Sequence, residues 1–113
     1  MELETHELGS VTLVHCKGRL TYGDEADNLR AAVKKLLMRN SRILLNLAEM
    51  SYVDSGGLGV LFGLHASAQN AGGNLVLACA TERVRHVLQR TQLASVIDLY
   101  DDEKEGIAAL CGK

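Results

Sequence analysis

Two patterns of hydrophobic residues alternate along the chain, one with helical spacing and one made of short continuous runs. Residues 24–39 show the helical spacing, with apolar side chains three or four positions apart: Ala26, Leu29, Val33, Leu36 and Leu37. Acidic residues open this segment and basic residues close it, an order that complements the helix dipole. The pattern therefore predicts an amphipathic helix over residues 24–39.

The short apolar runs predict strands. Residues 43–47 and 75–79 are nearly continuous apolar runs of the length expected for strands that are buried on both faces. Residues 3–7 and 10–17 are rich in β-forming residues and flank a turn, so they predict an antiparallel pair. A further short strand is predicted over residues 96–99.

Three more helices are predicted farther along the chain, each marked by residue types that start or stop helices. They are a helix over residues 56–71 that ends at Gly72-Gly73, a helix that begins after Thr81, and a helix over residues 102–110.

Strands that alternate with helices predict right-handed crossovers and a largely parallel sheet. We therefore expect an α/β sandwich in which about four helices pack on a four- or five-stranded, mostly parallel sheet. In such sheets, ligands and partners meet the loops that follow the carboxyl ends of the strands. Two loops qualify, residues 18–23 and 48–57, and they form one surface if their strands are parallel neighbours.

The length of 113 residues predicts a single domain over residues 1–113. A net charge of −2 with interspersed signs argues against nucleic acid as a direct partner, because neutralising phosphates needs a clustered basic surface. The sequence shows no secretory signal and no apolar run of the ~20 residues that a membrane helix needs. We therefore expect a cytoplasmic protein that does not insert into membranes.

The cysteines and histidines show no spacing that is typical of a metal site. Cys16, Cys79 and Cys111 lie far apart in the chain, so they are interpreted as buried or incidental thiols in a reducing compartment. No metal and no other cofactor is expected.

Residues 53–59 have the most unusual composition, because three glycines follow Ser55 where a helix is predicted to begin. Each glycine inside a helix costs about 0.8–1 kcal/mol relative to alanine, so helix propensity does not favour them. One interpretation is structural: Ser55 caps the helix by accepting from the N–H of Gly57 or Leu58, and the glycines permit close packing. The other is that Ser55 is phosphorylated, since a helix N-terminus tolerates a phosphate. The residues alone leave both interpretations open.

The sequence Asp-Ser-Gly-Gly-Leu-Gly at 54–59, with the apolar run 43–47 before it and residues 72–77 after it, resembles the STAS domain. That domain is shared by bacterial anti-sigma-factor antagonists and the cytoplasmic tails of sulfate transporters. The resemblance implies an anti-anti-sigma factor that binds an anti-sigma-factor serine kinase and releases the sigma factor. It further implies that the kinase switches the protein off by phosphorylating Ser55, and that a serine phosphatase resets it.

The same resemblance, together with the two loops, implies a set of partner-binding residues in the first loop and at the start of the second helix: Thr21, Tyr22, Asp54, Ser55, Gly56, Gly57 and Leu58. Two of these residues depart from the family's pattern. Antagonists of the family often carry a second serine or threonine where this chain has Gly56, and its absence removes a second phosphate acceptor. They commonly carry an aspartate where this chain has Thr21, which bears on how closely the first loop matches the family's contacts.

Two alternative functions fit parts of the sequence. The protein could be a STAS subunit of a lipid-transport ATPase complex, with the same helix start as its docking surface. An enzyme with Ser55 as nucleophile is disfavoured, because a hydrolase elbow needs Gly-x-Ser-x-Gly and Val53 stands at the first glycine position. His65 lies about three turns from Ser55 on the same predicted helix, too far to act as its base. No catalytic residue is therefore assigned.

Overall fold

The computed structural model describes residues 1–112, and within that range it contains five strands and four α-helices. The strands are β1 (Glu2–Leu8), β2 (Val11–Leu20), β3 (Arg42–Val53), β4 (Asn74–Ala78) and β5 (Leu99–Tyr100). The α-helices are α1 (Asp24–Leu37), α2 (Ser55–Asn70), α3 (Glu82–Gln89) and α4 (Glu103–Cys111), with a short 3₁₀ helix at Gln92–Ser95. The predicted α/β class is confirmed.

The strands form a mixed sheet in the order β1-β2-β3-β4-β5. β1 and β2 are antiparallel and turn at Gly9, which has a φ of +64° that favours glycine. The pairs β2–β3, β3–β4 and β4–β5 are all parallel. The predicted antiparallel pair and the mostly parallel sheet are both confirmed.

Side chains of the central strands alternate between two hydrophobic cores, one on each face of the sheet. Leu45 of β3 belongs to the larger core, which it shares with Leu29 of α1 and Leu61 of α2. The neighbouring Leu44 belongs to the second core, which it shares with Leu110 of α4. The continuous apolar run of β3 therefore serves both faces, as the sequence predicts.

β2 and β3 are longer than predicted. β2 runs to Leu20 and β3 to Val53, so half of the predicted loop 18–23 and most of the predicted loop 48–57 are strand. The extensions pair only with each other, through two irregularities in register, and they reach past the last residue of β4 that pairs with β3. Because much of their surface is exposed and polar, no continuous apolar run marks them as strand in the sequence.

The strand predicted at residues 96–99 is wrong for its first part. The chain there leaves a 3₁₀ helix whose cap is Thr91, and the N–H of Ile97 donates to the carbonyl of Leu93 at 2.9 Å. Ile97 is buried, so its apolar character reflects core packing and not strand pairing. Only Leu99–Tyr100 forms a strand.

His65 is a buried residue of α2, and its Nδ1 lies 3.1 Å from the carbonyl oxygen of Leu75. This contact places the histidine in the core between α2 and β4. Among residues 1–112, no helix combines the length and the apolar content needed to cross a membrane.

Candidate functional site

The carboxyl ends of β2 and β3 lie side by side. Leu20 pairs with Val53 at the end of the ladder, and the N–H of Asp54 then donates to the carbonyl of Leu20 at 3.2 Å. Thr21 and Tyr22 therefore leave the sheet beside the residues that begin α2. The prediction that the two segments meet on one surface is confirmed, because their strands are parallel neighbours.

Asp54, and not Ser55, caps α2. One carboxylate oxygen of Asp54 accepts from the N–H of Gly57 at 2.9 Å. Both carboxylate oxygens also accept from the N–H of Tyr22, at 3.1 and 3.0 Å. Ser55 is the first helical residue and is exposed, and its hydroxyl forms no hydrogen bond within the part of the chain that the structure describes. The predicted capping role of Ser55 is therefore wrong, and within residues 1–112 its hydroxyl contributes no hydrogen bond to the fold.

The hydrogen bonds to Asp54 predict a specific acid sensitivity. The N–H of Tyr22 and then that of Gly57 lower the pKa of the Asp54 carboxyl below its ordinary value of 3.8. A carboxyl with a lowered folded-state pKa stabilises the fold above its unfolded pKa, and this contribution is lost as the pH falls through the folded pKa. We expect wild type to be more stable than Asp54→Asn at pH 6, and the difference to shrink below about pH 3.8.

Urea unfolding at a series of pH values measures this difference. Asp98→Asn, at an exposed position in the segment before β5, is the matched control and should show no comparable loss at pH 6. A gap between wild type and Asp54→Asn that stays constant down to pH 2 would show that the charge of Asp54 does not matter.

Gly56 and Gly57 are required by close packing at the start of α2. A Cβ on Gly56 would lie 2.7 Å from the Cβ of Tyr22. A Cβ on Gly57 would clash with the carbonyl oxygen of Leu20 and would lie 2.9 Å from a methyl carbon of Val53. The structural interpretation of these two glycines is therefore correct. It also explains the departure at Gly56, since a serine or threonine there would displace Tyr22.

The predicted partner-binding residues differ widely in exposure. Tyr22 is 84% exposed and Ser55 is exposed, whereas Gly57 is buried against the strand ends. The remaining four are half-buried: Thr21, Asp54, Gly56 and Leu58. The Thr21 hydroxyl donates at 2.7 Å to a carboxylate oxygen of Glu25, which lies in the first turn of α1. The surface next to Ser55 is thus presented mainly by Tyr22.

Arg19 and Tyr52 are surface residues near this site that the sequence analysis missed. They are opposite each other in the β2–β3 ladder, and the guanidinium carbon of Arg19 lies 5.5 Å from the centre of the Tyr52 ring. The irregular register of these strands brings them together, and no local pattern marks it. Across residues 1–112, no group of three or more His, Cys, Asp or Glu side chains could hold a metal ion.

The STAS domain family model matches residues 2–106 of the chain. The chain belongs to the STAS domain family. This STAS domain is 26% identical over 112 residues to the "Anti-sigma F factor antagonist" of Paenibacillus polymyxa, an alignment that covers 97% of this chain and 93% of the relative.

Solved structures of other proteins share the fold of this STAS domain. A Thermotoga maritima protein, provisionally named an anti-sigma factor antagonist, superposes with a TM-score of 0.89 at 23% identity, over 96% of this chain and 94% of that one. The Bacillus cell fate determinant SpoIIAA in its phosphorylated form superposes with a TM-score of 0.72 at 19% identity, over 96% of this chain and 98% of that one. These similarities establish the fold.

Proposed function

We propose that this STAS protein is an anti-sigma-factor antagonist, which binds an anti-sigma-factor kinase, releases the sigma factor and is switched off by phosphorylation of Ser55. The observation that carries the proposal is the exposed Ser55 hydroxyl at the start of α2, freed because Asp54 caps the helix. The name of the Paenibacillus relative, which matches over nearly the whole chain, supports the antagonist function. The phosphorylated form of SpoIIAA supports the switch.

The position of Ser55 suits a modification that changes charge without changing the fold. Ser55 is the first residue of α2, where free backbone N–H groups and the positive end of the helix dipole favour a phosphate. Because its hydroxyl makes no hydrogen bond within residues 1–112, esterification would remove no bond from the fold. A phosphate brings about −1.5 to −2 charges beside the Asp54 carboxylate, so the surface becomes strongly negative.

Tyr22 is the proposed anchor for the partner. Its side chain is largely exposed, its backbone N–H is held by Asp54, and its Cα and Cβ rest on Gly56. A residue whose backbone is fixed before binding loses less conformational freedom when the partner arrives, and tyrosine is enriched among binding hot spots. Thr21 and Gly56 border this anchor, and Leu58 lies in the first turn of α2, as Ser55 does.

The proposed protein contributes a substrate hydroxyl and a binding surface, and no catalysis. In phosphoryl transfer from ATP, the base and the Mg²⁺ ligands belong to the kinase. A serine phosphatase would then restore the binding form. The proposed location is the cytoplasm, where both partners and ATP are found.

Ser55 is expected to be the sole phosphate acceptor. Each anti-sigma factor of the source organism is purified and incubated with this protein, Mg²⁺ and radiolabelled ATP. The kinase that binds the wild-type protein should label it. The same kinase should leave Ser55→Ala unlabelled, because the hydroxyl of the nearby Ser51 is hydrogen-bonded to the backbone. The position is confirmed by phosphopeptide mass spectrometry.

Ser51 provides the matched control for this experiment. It is exposed on β3 close to the site, and its hydroxyl lies 3.4 Å from the carbonyl of Gly18, to which it donates. Ser51→Ala should be labelled like wild type. Label on Ser51 or on any threonine in the Ser55→Ala variant would refute the assignment of the acceptor.

A further inference from the structure

A groove runs between the outer surfaces of α1 and α2. One part has a volume of about 530 Å³ and begins at Tyr22 and Gly56, beside the candidate site. The next part, of about 120 Å³, continues along the helices to Lys34. Both parts are lined by Gly59 of α2 and Arg30 of α1, so they form one continuous groove, which we call the α1–α2 groove.

The groove exists because α2 has no side chains on part of its outer surface. Gly59 and Gly63 lie one turn apart and are exposed, and a Cβ added to either would meet nothing within 4 Å. They differ in this from Gly56 and Gly57, which internal packing requires. Glycine is disfavoured inside helices, so two glycines without a packing role leave the α2 backbone bare where helix stability alone would favour alanine.

The α1 wall of the groove carries positive charge. Arg30 and Lys34 are exposed and lie one turn apart on α1. Arg30 donates to Asp27 at 3.1 Å, which neutralises the end of the groove near Tyr22. Lys34 has no ion pair or hydrogen bond within residues 1–112. An occupant with carboxylates opposite Lys34 would complement this wall.

Specific interfaces use roughly 20–30 residues on each side, so a partner that binds at Ser55 would also cover neighbouring surface. The α1–α2 groove is continuous with this site, because Tyr22 and Gly56 line its first part. One partner can therefore contact both.

We propose that the α1–α2 groove binds an acidic amphipathic helix of the same anti-sigma factor that contacts Ser55. The bare backbone at Gly59 and Gly63 admits a helix at close range, and carboxylates of that helix would pair with Lys34. The inference rests on the proposed function. It adds a second contact with the anti-sigma factor, in the α1–α2 groove, and states the chemistry of that contact.

The test measures stability and binding of variants against the purified anti-sigma factor that binds wild type. Gly63→Gln fills the groove with a residue that favours helix, so it should keep or raise the melting temperature and weaken binding by roughly tenfold or more. Lys34→Glu should weaken binding by a similar factor, with a smaller loss at high salt. Lys104→Glu, on α4 at the opposite face of the sheet, is the control and should bind within about twofold of wild type.

A photo-crosslinking amino acid at position 34 identifies the occupant. The crosslinked peptide should map to an acidic helix of the anti-sigma factor. A crosslink to a second copy of this chain, or to a segment without carboxylates, would overturn the inference.

The outcomes separate this inference from the proposed function. Suppose that Gly63→Gln and Lys34→Glu both bind with wild-type affinity while Ser55→Asp loses binding. This result would refute the proposed binding in the groove and would leave the proposed antagonist function unaffected. If Gly63→Gln fails to fold, the affinity of Lys34→Glu decides the question. If wild type binds no anti-sigma factor of the source organism, the proposed function fails, and the occupant of the groove with it.

Discussion

Replacing Ser55 with aspartate is expected to weaken binding of the anti-sigma factor by roughly two orders of magnitude, and phosphorylation by up to about four. A unit charge about 5 Å from a partner carboxylate costs ~3 kcal/mol at an effective dielectric near 20. Each 1.4 kcal/mol corresponds to a factor of ten, and a phosphate carries up to about twice the charge of the aspartate. The penalty falls on binding alone, because aspartate is well tolerated in the first turn of a helix.

Isothermal titration calorimetry measures the affinity, and far-UV circular dichroism checks the fold. Ser55→Asn is the matched control, since it has the size of aspartate without the charge, and it should bind much more tightly than Ser55→Asp. Ser55→Ala should bind and should lose less than about 0.5 kcal/mol of stability, because Asp54 is the cap. Wild-type affinity of Ser55→Asp at low salt would exclude switching by charge at this residue.

Replacing Gly57 with alanine is expected to lower the free energy of unfolding by about 2–3 kcal/mol. The added Cβ would clash with the carbonyl of Leu20, which accepts from the N–H of Asp54 where β3 ends, and would crowd Val53. The clash can be relieved only if α2 moves away from the strand ends, and this movement would break the contacts that hold the candidate site together. Urea unfolding followed by far-UV circular dichroism measures the loss of stability, because the chain has no tryptophan for a fluorescence readout.

Gly63→Ala makes the same chemical change six residues along the same helix and is the control. Its Cβ would meet nothing within 4 Å, so it should stabilise the protein by about 0.5–1 kcal/mol through helix propensity alone. Equal effects of the two substitutions would mean that Gly57 is not held by packing.

The sequence by itself determined the class of the fold and which two segments form the candidate site. The helical spacing over residues 24–39 and the doubly buried run at 43–47 depend on burial patterns that repeat within a few residues, and both predicted elements are present. Thr81 and Asp102 cap α3 and α4 as predicted, because a cap bonds to an N–H only three residues away. Local periodicity and local hydrogen bonds depend on residues within one segment, so the sequence of that segment is enough to predict them.

Only the tertiary structure decided which residue caps α2 and which glycines are open. Asp54 and Ser55 are adjacent and both suit an N-cap, and the choice depends on the N–H of Tyr22, which lies 32 positions away in the sequence. The ends of β2 and β3 pack against Gly57 and leave no room for a Cβ, whereas a Cβ on Gly63 would meet nothing within 4 Å. These distinctions depend on contacts between segments that are distant in the chain, so residue types in one segment do not contain them.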